Sequence, residues 1–178
     1  MQCLTQLDVQ GPDFLLEMDG FIAETSEIVL ETDGRTIEMI VTADSKSLAG
    51  ELARIAWNNK QICDQYIADT VKHWQLQRIA LIDRAILRLA IAELLYRTQV
   101  PMKVVLDQAI ELAKLFSTAE SPQFINGVLD AIAKKLQELA GSEPQAGQAK
   151  QSSEEPESSE ATEDASDPSD NPLDSDLK

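Results

Sequence analysis

Apolar positions recur at helical spacing along most of the first 140 residues. The densest run is LQRIALIDRAILRLAIAELLYR, where Ile79, Leu81, Ile82, Ile86, Leu87, Leu89, Ile91, Leu94 and Leu95 occupy nearly every face. A helix that is apolar all round is a buried core helix with neighbours on several sides. Asp83, Arg84, Arg88 and Glu93 interrupt the run, so it is not a membrane span. TQVP then breaks the chain, and Pro101 opens the next helix at a position that favours proline. Val105, Ala109, Leu112, Ala113 and Phe116 form its stripe, with Glu111 and Lys114 off it. After the loop STAE, Ser121 is placed to cap the last helix and Pro122 to start it. Phe124, Val128, Leu129, Ile132 and Leu136 provide the buried side of that helix.

The N-terminal third is less uniform. MQCLTQLDVQG reads as the end of a helix closed by Gly11 and Pro12. Phe14, Leu15 and Met18 fit one short helical face. Residues 28–32 fit either an extended or a helical segment, and RTIEMIVTADS alternates β-branched residues for a few positions. Ser45 is positioned to cap a helix carrying Leu48, Leu52, Ile55 and Ala56. Ile62, Tyr66 and Ile67 predict another, running towards Trp74. The Asn126–Gly127 pair sits inside the last helix, where glycine costs about 1 kcal/mol relative to alanine. The expected compensation is a tight helix crossing at the short end of the usual range of about 8–10 Å, tied by a buried amide.

Composition changes at residue 141. The remaining segment is rich in Ser, Glu, Asp and Pro, holds 11 acidic side chains and two lysines, and has almost nothing to bury. The expected organisation is a helical domain over residues 1–140 and a disordered acidic tail over 141–178. The tail reads as a solubilising extension, or as an acidic arm that competes with RNA or recruits a basic partner. Of the formal net charge of −16, −9 falls in the tail and −7 in the domain, which opposes casual attraction to nucleic acid or anionic membrane. Leu, Ile and Ala dominate the apolar content and aromatics are few, which suits an all-α core. No basic region leads into an apolar leader at the N-terminus, so the expected location is cytoplasmic. Cys3 and Cys63 form no CxxC pattern and read as free thiols packed as small apolar groups, with a Cys3–Cys63 disulfide as the alternative.

Catalytic chemistry is sparse. His73 is the single histidine and has no Cys or carboxylate cluster beside it, so no metal site or cofactor is expected. There is no Gly-rich phosphate loop, no GxSxG and no HExxH, and the chain is not expected to be an enzyme. Arg84 and Arg88 lie one turn apart on the central helix. They read as arginines that snorkel and pair with carboxylates, or as a phosphate-facing patch.

Several dissimilar pieces occur in a specific order: WQLQRIALI, RAILRLAIAELLYR, the VP-K turn, AIELAKLF and the closing FINGVLD. Together, over residues 62–136, they resemble the C-terminal half of the NusB transcription antitermination family. QCLTQLD resembles the end of that family's first helix, whereas residues 12–45 match poorly. The resemblance implies two small packed helical bundles and a non-enzyme that binds the boxA element of ribosomal RNA leaders. Its implied protein partners are NusE, a small-subunit ribosomal protein, and the antitermination complex on RNA polymerase. The RNA-facing positions it implies are Gln2, Thr5, Glu120, Ser121, Gln123 and Phe124, and the partner-facing ones Asp83, Arg84 and Glu111. Phe124 also fits the apolar stripe, so it is either a base-stacking aromatic or core.

The departures from the family pattern all fall on the RNA side. The Arg-rich segment that usually leads into the first helix is missing, and Met1 falls in what looks like the middle of that helix. The expectation is either a true start further upstream or a protein that has lost most RNA affinity. Thr5 stands where a tyrosine is frequent, and Pro122 and Gln123 stand where histidine and lysine are common. The alternative function is therefore a helical interaction module that binds the ribosomal protein with little or no RNA affinity. A third class, the RNA cytosine methyltransferases that carry a NusB-like domain, fails on length, because only the tail follows residue 136.

Overall fold

The computed structural model describes residues 1–32, 35–71 and 76–141. Its first compact unit, Met1–Pro144, holds every described element. The order is α1 (Gln2–Gln10), α2 (Phe14–Glu24), β1 (Glu27–Thr32), β2 (Arg35–Ile40), α3 (Ala43–Asn58), α4 (Lys60–Thr70), a 3₁₀ turn at Leu76–Arg78, α5 (Leu81–Tyr96), α6 (Met102–Phe116) and α7 (Ser121–Gly141). One bundle is α1–α3 and the other α4–α7, and α5 packs against α1 and α3 of the first as well as α4, α6 and α7 of its own. No helix among the described residues is long and apolar enough to cross a membrane. His73, Trp74 and the acidic tail beyond Gly141 lie outside the described residues.

The central helix is buried as its pattern requires. Ala85, Ile86, Leu87, Ala90, Ile91 and Ala92 are all shielded from solvent. The α6 stripe buries Val105, Ala109 and Ala113, and the α7 stripe buries Val128, Leu129 and Ile132 together with Ile125. Gly11 closes α1 with φ +82°, a conformation open to glycine at no steric cost, and its N–H returns to the Leu7 carbonyl at 3.0 Å. Cys3 and Cys63 are both free and buried, which excludes the disulfide. Burial pushes the Cys63 thiol up to about 11, with Asp64 adding to the effect. That thiol stays neutral and behaves as a small apolar group.

The two bundles are joined by buried charge. Arg88 on α5 donates through Nε and Nη2 to both carboxylate oxygens of Asp64 on α4, at 2.6 and 2.8 Å. Its Nη1 donates to Asp8 on α1 at 2.6 Å, and Arg84 reaches the same Asp8 oxygen at 3.3 Å. Arg88 is 5% exposed. Burial works against its charge, but hydrogen bonds and attraction from Asp64 and Asp8 outweigh it and hold the guanidinium above its ordinary pKa. Both arginines thus take the carboxylate-paired role and not the phosphate-facing one.

Several local expectations change. The ambiguous stretch before α3 is a β-hairpin, with β1 and β2 antiparallel from Glu27↔Ile40 to Thr32↔Arg35. Alternation, and not helical periodicity, was the stronger signal there. Thr42, not Ser45, caps α3: its Oγ1 accepts the Ser45 N–H at 3.2 Å, because the helix begins nearly a turn earlier. Leu48 and Ile62 fall on solvent faces of α3 and α4, where Ala53, Ala56 and Cys63 take the core positions. α4 ends at Thr70, short of Trp74.

The largest correction concerns Asn126 and Gly127. Both are exposed, and a Cβ at Gly127 would meet nothing within 4 Å. No helix crosses there and no amide is buried.

Two outcomes follow. Arg88→Ala strips Asp64 of its bidentate partner and leaves Asp8 only the longer contact with Arg84, so urea denaturation should show a loss of about 3–5 kcal/mol. Gly127→Ala should raise stability by about 0.5–1 kcal/mol, read as a higher melting temperature, because alanine fits a helix open to solvent.

Candidate nucleic-acid and partner interface

The turn between α6 and α7 is tied to α5 by one carboxylate. Asp83 lies in the first turn of α5, where the helix dipole favours a negative charge, and is 7% exposed. Ser117 Oγ donates to its Oδ1 at 2.5 Å and Ser121 Oγ to its Oδ2 at 2.9 Å. The two hydroxyls are 3.0 Å apart, and Thr118 Oγ1 is 2.9 Å from Ser121 Oγ. The Thr118 N–H also donates to Ser121 Oγ at 3.3 Å. Both carboxylate oxygens are therefore committed to the turn. Bonds to an ionised acceptor are stronger than neutral ones, so the latch fixes where α7 begins.

Beside the latch is a cleft of about 380 Å³, lined by Arg78, Ile79, Ala80, Glu120 and Phe124 together with Asp83, Thr118 and Ser121 of the latch. Phe124 is half-buried: it packs against the core from one side and lines the cleft with the rest of its ring. Glu120 and Gln123 are exposed next to it. Arg78, exposed at the end of the 3₁₀ turn, brings a cation to the same cleft. Sequence reasoning missed Arg78. Its signal was present in WQLQRIALI, but the turn that carries it past the start of α7 is not periodic.

The other expected site residues disperse. Ser121 is 2% exposed, its hydroxyl faces Asp83, and it is the first residue of α7 and not a separate cap outside it. Both Asp83 carboxylate oxygens face the turn. Arg84 points at Asp8. Glu111 is exposed and pairs with Lys114 at 2.6 Å on α6. Thr5 donates to the Gln2 carbonyl at 2.7 Å on α1. Gln2 borders a different, apolar cavity of about 210 Å³, with Phe21, Ile22, Leu112 and Phe116. The structure thus brings Glu120, Gln123 and Phe124 together above Asp83 and Ser121, and leaves Gln2, Thr5 and Glu111 elsewhere. Among the described residues no cluster of three His, Cys, Asp or Glu side chains is arranged to hold a metal.

Two helical bundles joined through a central helix, with a latched turn ahead of the last one, define an all-α two-bundle domain. The solved chain in the crystal structure of the antitermination factors NusB and NusE with dsRNA has this fold, with a TM-score of 0.60 at 24% identity over 75% of this chain and 89% of that one. T. maritima NusB aligns with a TM-score of 0.51 at 38% identity, over 53% of this chain and 66% of that chain. The NusB family model matches residues 1–134, including the hairpin region where the motifs alone matched poorly. The transcription antitermination protein NusB of Symbiobacterium thermophilum is 34% identical over 143 residues, 80% of this chain and 90% of that protein. Its counterpart in Geotalea daltonii is 39% identical over 140 residues, 76% of this chain and 90% of that protein. The chain belongs to the NusB family.

Asp83→Asn should cost about 1.5–3 kcal/mol, since it trades charge-assisted bonds for neutral ones and misplaces a donor. Native-state amide exchange should accelerate at Thr118 and Ser121 ahead of the α5 core. Uniform acceleration across α5 would contradict a latch local to the turn.

Proposed function

We propose that the chain is an RNA-binding antitermination factor that pairs with the ribosomal protein NusE on a boxA-like rRNA leader, within the RNA polymerase antitermination complex. The observation that carries this reading is the latched turn, which holds Phe124 in the wall of a cleft with Glu120 and Arg78, while Gln123 is exposed one residue before it. A half-exposed aromatic fixed by its own packing is a stacking platform for an unpaired base. Arg78 supplies a cation for a phosphate or a stacked base, and Gln123 an amide for a base edge. Family membership supports the same assignment, since relatives that span most of their length with this chain are named transcription antitermination proteins.

A second reading has its own support. The domain carries a formal −7, and both arginines of α5 are spent on internal carboxylates. That balance favours a module whose main partner is the ribosomal protein, with RNA held chiefly in the joint complex. NusE contributes affinity under either reading. The separation lies in whether RNA binds this chain at all.

Fluorescence anisotropy with a boxA-type single strand, with and without NusE, decides between them. The first reading predicts binding that strengthens with NusE and falls steeply between 50 and 200 mM salt, as expected for released counterions (on the order of tenfold or more for a few phosphate contacts). Phe124→Leu keeps the apolar packing and removes the stacking face, and should weaken binding by about 1–3 kcal/mol with an unchanged melting temperature. Capture of NusE with no RNA shift in any combination would leave only the second reading.

A further inference from the structure

The β1–β2 hairpin presents an open edge of defined chemistry. Its six register pairs run without a bulge. The Val41 N–H donates to the Ser26 carbonyl at 3.0 Å, which makes Ser26 and Val41 a hydrogen-bonded pair at the open end of the ladder. Bonded and non-bonded pairs alternate in an antiparallel ladder. Ile28–Met39 is therefore bonded, whereas Glu27–Ile40 and Val29–Glu38 are not. On β2 this alternation sends the backbone N–H and C=O of Glu38 and Ile40 away from β1, towards an edge that no strand covers among the described residues.

The side chains agree with the backbone. Ile28 on β1 and Val41, just past β2, are half-buried and line the apolar cavity of the helical body, so the hairpin is tethered to the fold at its open end. On β2, Glu38 is exposed, Met39 is 42% exposed and Ile40 is 86% exposed. Glu38 and Ile40 share one ladder face with Glu27 and Val29, and Met39 lies on the opposite face. Protein edges are commonly blunted by proline, a bulge or charged side chains; β2 has no proline and no bulge, and its charged residues are Arg35 at the turn end and Glu38 in the middle of the edge. The charges on the ladder face of Glu38 and Ile40, at the open end of the hairpin, are the carboxylates of Glu38 and Glu27.

We propose that the outer edge of β2 is a docking site for a basic partner segment in extended conformation, which adds as a third strand. Main-chain bonds to Glu38 and Ile40 supply affinity, and alternate side chains supply selectivity. Cationic side chains of the added strand fall on the face of Glu38 and Glu27, and apolar ones beside Met39. The site is separate from the Phe124 cleft and does not depend on RNA binding.

The test uses the full chain and the capped peptide Lys-Val-Lys-Val-Lys-Val-Lys, with a block isomer of the same composition as control. The alternating peptide should bind at least tenfold more tightly by anisotropy, and should slow amide exchange at Glu38 and Ile40. Glu38→Pro removes one outward N–H and no β1–β2 bond, and should reduce that affinity at least tenfold while Met39 stays protected. Glu38→Lys keeps the N–H and reverses the charge, and should weaken binding by a similar factor. Absence of binding, equal binding of the two peptides, or full affinity in Glu38→Pro would overturn the proposal. A dimer in sedimentation that Glu38→Pro dissolves would assign the edge to a second copy and overturn it as well.

Discussion

Arg88 is the interaction on which the rest of the structure depends. Its guanidinium is almost fully buried, and its fork is divided between Asp64 of the second bundle and Asp8 of the first. A planar donor with fixed directions can satisfy two carboxylates in only one arrangement of the helices that carry them. Apolar contacts along α1, α4 and α5 supply the larger share of the burial free energy, but they tolerate sliding and rotation. The ion network selects the register among those packings, and Arg84, reaching the same Asp8 oxygen, reinforces it. A buried network of this kind is weak evidence for stability gained over an apolar core. Its consequence here is geometric: α5 has one position relative to both bundles.

That position reaches the interface through the same helix. Asp83 lies one turn before Leu87 and Arg88, so a fixed α5 presents a fixed carboxylate. Ser117 and Ser121 converge on that carboxylate from the end of α6 and the start of α7, and their bonds set the angle at which α7 leaves the turn. Phe124 follows one turn later, with its ring shared between core and cleft. Arg78 arrives from the opposite direction, through the 3₁₀ turn and Ile79, which is itself buried. The surface is thus made by elements distant in sequence and held by the core beneath them.

Much of this was legible in the chain. The all-round apolar run of α5, the stripes of α6 and α7 and the Gly11 stop all follow local periodicity and steric rules, and each forms where the pattern puts it. The pairing of Arg84 and Arg88 with carboxylates was also readable, because guanidinium groups on a core helix need partners. Which carboxylates would serve was not: Asp8 and Asp64 are placed by tertiary packing alone. The contacts of Asp83 were not legible either, because an acid in a first helical turn is normally solvated and nothing local says that Ser117 and Ser121 will both fold back to it. Asn126–Gly127 misleads for the opposite reason. Its cost in a helix suggests compensation by packing, yet that side of α7 faces solvent. The hairpin fell between two short and conflicting patterns, and only pairing between β1 and β2 resolves them.

The most direct measurement of the interface is a hydrogen-exchange footprint of the full chain, alone and with a boxA-type single strand and NusE. Slowed exchange concentrated in residues 76–83 and 117–127, the segments that surround Phe124 and its latch, is the expected result. A complex that forms while those segments exchange as fast as in the free chain would contradict the assignment of this surface.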